Sequence, residues 1–92
     1  MIKVIGSRGI GKTTRLIEYA KENNCIILSA HSNQIRRKLA YMGYDIDIAK
    51  DFTSENVKYC ADHDIDFLID DMDCALLKFF GENFKGYSLS VE

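Results

Sequence analysis

The sequence contains no proline, and glycine, the other strong chain breaker, occurs only six times in 92 residues. It also has no internal repeat, no low-complexity tract and no Pro/Gly/Ser-rich linker. We therefore expect residues 1–92 to form a single domain. Every apolar run is far shorter than the ~20 residues that a membrane-spanning helix needs. These absences predict a soluble, cytoplasmic protein without a membrane partner.

The net charge is small, and the cysteines show no pairing pattern. Twelve basic and fourteen acidic side chains give a net charge of −2, so nothing in the balance indicates nucleic acid or a membrane surface as the partner. The cysteines, Cys25, Cys60 and Cys74, are odd in number, far apart and set in apolar runs. This pattern predicts reduced core residues and argues against both a disulfide framework and a metal cluster.

Strand-like and helix-like segments alternate along the chain. Apolar runs predict strands at residues 2–5, 25–30, 65–69 and 86–91, and residues 45–48 form at best a short edge strand. Helical spacing predicts a helix over Lys12–Asn23, with an apolar stripe of Leu16, Ile17 and Ala20, and three more, which carry Ile35, Leu39 and Met42, then Val57, Cys60 and Ala61, then Leu76, Leu77 and Phe80. Ser32 is the expected cap of the second helix, and Thr53 or Ser54 begins the third. This alternation predicts an α/β fold, a three-layer α/β/α sandwich with a mainly parallel sheet of four to five strands.

A glycine-rich motif lies between the first predicted strand and the first predicted helix. Residues 6–13 read Gly-Ser-Arg-Gly-Ile-Gly-Lys-Thr, which is G-x-x-x-x-G-K-T. In such a loop, backbone N–H groups surround a phosphate, the lysine reaches the β/γ oxygens and the Thr hydroxyl ligates Mg²⁺. The predicted nucleotide-binding residues are Ser7, Arg8, Gly9, Ile10, Gly11, Lys12, Thr13 and Thr14. The alternative is a glycine-rich turn that binds nothing.

A second motif follows the strand predicted at residues 65–69. That strand ends in two acids, Asp70 and Asp71, as a Walker B strand does. Asp70 is the expected partner of Thr13 in holding Mg²⁺, and Asp71 is the expected group that polarises the attacking water. Both motifs directly follow predicted parallel strands, so both fall on one edge of the predicted sheet. Ligands of such sheets bind at this edge, at the carboxyl ends of the strands. By itself, an apolar strand ending in Asp is also common as a solvated strand end.

Taken together, these motifs resemble the N-terminal core of a P-loop NTPase, in the division with an acid after the Walker B aspartate that includes AAA+ ATPases and helicases. Residues 6–14 resemble its Walker A motif, and residues 65–73 are similar to helicase motif II and to the Asp-Asp form of AAA+ replication initiators and loaders. Residues 26–32 and 88–90 are weaker echoes of helicase motifs Ia and III. The resemblance implies a P-loop fold, ATP and Mg²⁺ as cofactors, and Lys12 and Asp71 as catalytic residues.

The departures from that family pattern bear on turnover. Most relatives carry Glu where this chain has Asp71, and the shorter side chain withdraws the carboxylate by about one methylene. The sequence given ends after the predicted fifth strand, and no arginine is assignable as a finger in cis, a group worth ~10³–10⁵ in rate. We therefore expect weak Mg²⁺-dependent ATP hydrolysis, with a homo-oligomer or a protein partner completing the site.

Two alternative functions stay open at this stage. One is a nucleotide-sensing or scaffold module that binds nucleoside triphosphate without hydrolysing it and acts through a partner. The other is a helicase-derived binder of single-stranded nucleic acid that uses the basic run at residues 36–38, although a solvated helix face is the preferred explanation of that run.

Three lesser features have ordinary explanations. His31 follows a predicted strand and either approaches the γ-phosphate or is a loop histidine with a local hydrogen bond. The Asp-His-Asp sequence at residues 62–64 predicts a polar turn, since consecutive residues before a strand are poorly spaced as metal ligands. Tyr41 and Tyr44 flank a glycine and either cover an adenine or pack in the core.

Overall fold

The computed structural model describes residues 2–5 and 11–90 of the chain. Within them, helices and strands alternate as α1 Lys12–Asn23, β1 Ile26–Ser29, α2 Ser32–Tyr41, a 3-10 turn at Ile46–Ile48, β2 Ala49–Asp51, α3 Ser54–Asp62, β3 Phe67–Asp70 and α4 Met72–Phe80. The α/β class is confirmed. The described residues form three strands rather than the predicted four to five.

The three strands form one parallel sheet in the order β2-β1-β3. Ile27 lies opposite Ala49 on one side of β1 and opposite Leu68 on the other. The chain therefore steps from β1 outward to β2 and then crosses back to β3 on the far side of β1. Because of this reversal, the connection from β1 to α2 and the connection from β3 to α4 lead away from each other.

Side chains that alternate along the strands form one core on each face of the sheet. On the first face, Ile27 and Ala49 pack with residues of α1 and α2 in a buried cluster, whose members are Ile17, Ala20, Cys25, Ile27, Ile35, Leu39 and Ala49. On the second face, Leu28 packs with Phe52 and with Ala75 of α4, next to Val57 of α3. Helices thus cover both faces, as the alternation of the sequence predicts.

Several local predictions are confirmed. Helix α1 has the predicted bounds, and its stripe of Leu16, Ile17 and Ala20 is buried. The Thr53 hydroxyl caps α3 by accepting a hydrogen bond from the Asn56 N–H at 3.0 Å. The polar turn at residues 62–64 is also present: α3 ends there, and Asp64 has a φ of 53°.

Two predicted strands are wrong. Residues 2–5 form no strand; Ile2 lines a surface groove with Phe67 and Leu68 of β3, but Ile5 is more than half exposed. Residues 86–90 form no strand either, and Val91 lies outside the described residues. Here side-chain contacts with α4 replace strand pairing, because the Tyr87 hydroxyl donates to Asp73 and its ring stacks on Phe84.

Smaller shifts occur around the edge strand. The segment 45–48, for which the sequence predicts at best a short edge strand, contains the 3-10 turn. Strand β2 follows directly after it. Ser32 was expected to cap α2, but it is the first helical residue and His31 is the N-cap. The Ser32 hydroxyl donates instead to the carboxylate of Asp51. That contact ties the start of α2 to the end of β2.

Helix α4 is less buried than its apolar spacing suggests. Only Ala75 is buried, whereas Leu77 and Phe80, two of the apolar residues from which the helix is predicted, are 50% and 57% exposed. Apolar side chains surround this helix, so a single sheet face cannot cover them all. Phe79 and Phe80 contact each other and the rings of Phe52 and Phe84 instead.

The first core gives a direct stability test on helix α2. Leu39 is fully buried in it, and Tyr41, two residues away, is 93% exposed. We expect Leu39→Ala to lower the free energy of unfolding by about 2–5 kcal/mol through lost burial and a residual cavity. Tyr41→Ala should change it by less than about 0.5 kcal/mol. Urea unfolding of the two variants measures both values, and equal losses would contradict this packing.

Candidate functional site

The candidate site lies at the carboxyl ends of β1 and β3. These neighbouring strands are hydrogen bonded, with Ser29 opposite Asp70, and the connections that follow them run to helices on opposite faces of the sheet. Ligands of open α/β sheets bind at this kind of switch point, between the diverging connections, and we call this strand-end edge the crevice. The start of α1 reaches the same edge, as the contact between Thr13 and Asp70 requires.

Thr13 and Asp70 meet directly although 57 residues separate them in sequence. The Thr13 hydroxyl donates to Oδ1 of Asp70 at 3.1 Å, in a partly buried contact. Thr13 is in the first turn of α1, and Asp70 is the last residue of β3. The structure therefore joins the hydroxyl and the carboxylate that the two sequence motifs pair as metal ligands. Hydroxyl and carboxylate oxygens are donors of the kind that Mg²⁺ accepts.

Asp70 is a buried residue, with only 8% of its surface exposed. Burial raises its pKa above the ordinary value of 3.8, and the charge of Asp71 acts in the same direction. The hydrogen bond from Thr13 and the charges of His31 and Lys12 oppose that rise in pKa. A cation bound next to Asp70 would favour the charged form of this carboxyl group.

The described part of the glycine-rich motif is the beginning of α1. Gly11 is the N-cap, with a φ of 80° that disfavours residues with a Cβ. Lys12 and Thr14 are half-buried in the first turn, and the charge of Lys12 acts on Asp70. The other predicted nucleotide contacts, Ser7, Arg8, Gly9 and Ile10, lie outside the described residues.

Asp71 directly follows β3 and is the N-cap of α4. Its backbone is left-handed, with φ 55° and ψ 69°, and its Oδ1 accepts a hydrogen bond from the Cys74 N–H at 3.4 Å. The left-handed conformation costs a non-glycine residue about 1 kcal/mol or more in backbone strain. The strained turn leaves the side chain exposed at the crevice, beside Asp70.

The sequence analysis did not assign Cys74 to the site, and it left His31 with two interpretations. Ligand atoms of His31, Asp71 and Cys74 all lie within 4.8 Å of one another. Cys74 is half-buried, whereas the prediction of a core cysteine holds for the buried Cys25 and Cys60. The spacing of three residues between Asp71 and Cys74 was the available signal, because it puts both on the first turn of a helix.

The basic run on α2 is partly structural. Nε of Arg36 donates to the backbone carbonyl of Ala49 at 3.1 Å, which fastens α2 to β2. Arg37 is exposed and Lys38 half-buried. Tyr41 is almost fully exposed, so it does not pack in the core, and the Tyr44 ring lies under the Lys21 ammonium group at 4.8 Å.

Comparisons with protein-family models, with curated proteins and with solved structures find no match for this chain. Among the described residues, every helix is too short or too polar to cross a bilayer.

The buried carboxyl group makes stability depend on pH. A folded-state pKa above the unfolded value means that Asp70 contributes stability at low pH, and that this contribution is lost as pH rises through the folded pKa. Asp70→Asn cannot ionise and keeps an oxygen for Thr13. Without added divalent cations we expect it to unfold at higher urea than the wild type at about pH 7, with the difference shrinking towards about pH 4.

Asp66→Asn is the control for this experiment, because it removes an exposed carboxylate just before the same strand. An equal pH-dependent gain in Asp66→Asn would assign the effect to total negative charge. The burial of Asp70 would then not be its cause.

Proposed function

We propose that this protein binds a nucleoside triphosphate, with ATP the expected one, together with Mg²⁺, and hydrolyses it slowly. The observation that carries the proposal is the hydrogen bond between Thr13 and the buried Asp70. These two residues belong to separate motifs that the resemblance to P-loop NTPases assigns to one metal ion. Their contact brings together, across 57 residues of sequence, the two oxygens that would ligate one Mg²⁺ ion.

Each residue has a defined role in this proposal. Lys12 neutralises the β/γ phosphates, the N-terminus of α1 adds its backbone N–H groups and positive dipole end, and Thr13 and Asp70 would hold the metal. When bound, Mg²⁺ neutralises charge on the phosphate oxygens. Asp71 orients the attacking water from the exposed end of β3.

Slow turnover fits the position of Asp71. Its side chain is one methylene shorter than Glu and accepts a hydrogen bond from the Cys74 N–H, so it reaches less far into the crevice. This contact also favours the second candidate function, nucleotide binding without hydrolysis. We propose, in addition, that a second copy or a protein partner completes the site by supplying positive charge to the γ-phosphate.

Binding of single-stranded nucleic acid is the weakest of the candidates. Arg36 makes an internal contact with Ala49, so the run at 36–38 offers fewer side chains to a phosphate backbone than its sequence suggests.

Lys12→Ala is the first test of nucleotide binding. Loss of a charge-assisted contact to phosphate costs about 1.5–3 kcal/mol, so affinity for ATP·Mg²⁺ should fall at least about tenfold. Calorimetric titration measures this fall. Lys21→Ala is the matched control, because it removes a lysine from the last turn of the same helix and should leave affinity unchanged. Absence of triphosphate binding to the wild type at millimolar concentration would refute the proposal.

Asp71 separates hydrolysis from binding. We expect Asp71→Glu to preserve or raise the steady-state rate of phosphate release, because the longer side chain extends towards the phosphates. Asp71→Asn should abolish release and leave nucleotide affinity nearly unchanged. Equal turnover by wild type and Asp71→Asn would remove Asp71 from catalysis, and no turnover by any of the three would favour the non-hydrolysing function.

A further inference from the structure

Three side chains with metal-binding atoms converge at the crevice from two separate connections. His31 lies between β1 and α2, while Asp71 and Cys74 lie at the start of α4. Their ligand atoms are within 4.8 Å of one another. Neither Asp71 nor Cys74 is near His31 in sequence, so the order of strands in the sheet produces this cluster.

The donor set differs from that of the Thr13 and Asp70 pair. An imidazole nitrogen, a carboxylate oxygen and a cysteine sulfur form a borderline-soft set, which suits Zn²⁺ and related ions, whereas Mg²⁺ and Ca²⁺ take oxygen ligands. Two adjacent sites with different donor chemistry can therefore discriminate between cations.

The spacing of the three atoms is close to that of a tetrahedral site. Bonds of about 2.0–2.3 Å to a tetrahedral ion separate the ligand atoms by roughly 3.3–3.7 Å. From separations of up to 4.8 Å, the ligand atoms need to approach one another by at most about 1.1–1.5 Å. The exposed side chains of His31 and Asp71 can rotate by that amount without disturbing either core.

The surroundings also favour a cation. Asp70 and Asp73 flank Asp71 in sequence and add negative charge at the same end of β3. The other two thiols are poor competitors, since Cys25 and Cys60 are buried and burial raises the pKa of both. Metal ligation requires the thiolate.

We propose that His31, Asp71 and Cys74 bind a transition-metal ion of the Zn²⁺ class, with a fourth coordination position open to water. The ion links the β1–α2 connection to the N-terminus of α4 across the crevice. Binding displaces the thiol proton of Cys74, so affinity rises with pH. Because Asp71 is a ligand, bound Zn²⁺ withdraws it from the role given to it in ATP hydrolysis, and this last consequence alone rests on the proposed function.

The test uses Co²⁺ as a spectroscopic probe and Zn²⁺ in calorimetry, both on the full chain without nucleotide. The wild type should bind one equivalent, and Co²⁺ should give the charge-transfer absorption of a cysteine ligand. Cys74→Ser should lose that absorption, and Cys74→Ser and His31→Ala should each bind Zn²⁺ at least about tenfold more weakly. Cys74→Ala and His31→Gln replace either variant if it does not fold by circular dichroism.

His63→Ala is the matched control. His63 is the other histidine of the chain, and it stacks on Tyr59 at the end of α3, so its loss should not change Zn²⁺ affinity. Persistence of the cysteine absorption in Cys74→Ser, or equal Zn²⁺ affinity in wild type and His31→Ala, would overturn the proposal.

ATP·Mg²⁺ affinity of Cys74→Ser, measured separately, distinguishes the two proposals. Retained nucleotide binding with lost Zn²⁺ binding supports both sites. Zn²⁺ binding by a wild type that binds no nucleotide supports the metal site alone, and nucleotide binding by a wild type that binds no Zn²⁺ overturns the metal site alone.

Discussion

Strand β1 is the constraint on which the rest of the fold depends. It pairs in parallel with both other strands, and Ile27, Leu28 and Ser29 are completely buried in it. Its two faces contribute to the two separate cores, so α1 and α2 must lie on one side and α3 and α4 on the other. Because β2 and β3 flank β1, the connections that follow β1 and β3 diverge to opposite faces of the sheet at the crevice.

The crevice collects groups that are expensive to bring together. A carboxylate is desolvated beside Thr13, a second acid stands in a left-handed turn at Asp71, and His31 lies across from it. Burial and like charge both raise the pKa of Asp70. Such costs cluster where a protein binds a cation or performs chemistry, and at Asp70 the Thr13 hydrogen bond and the charges of His31 and Lys12 offset part of the cost.

Much of this arrangement was predictable from local sequence. The stripe of α1, the cap of α3 by Thr53 and the apolar runs of β1 and β3 are determined by neighbouring residues, so periodicity and capping chemistry were sufficient. Residues 86–90 show the limit of that approach. Their alternation of apolar and polar residues suits a strand, but Tyr87 contacts Asp73 and Phe84 instead. An alternating pattern does not specify which other segment of the chain lies next to it.

Residue spacing predicts the α/β class and the first helix, and the rule that parallel strands end at one edge of the sheet leads to the expectation that Thr13 meets Asp70. Three further features depend on how distant segments pack: three strands pair among the described residues, α4 leaves Leu77 and Phe80 exposed, and Cys74 meets His31 and Asp71. The physical reason is the order of the strands. Which strand neighbours which depends on the packing of whole helices against both faces of β1, and that information is not local to any segment of the chain.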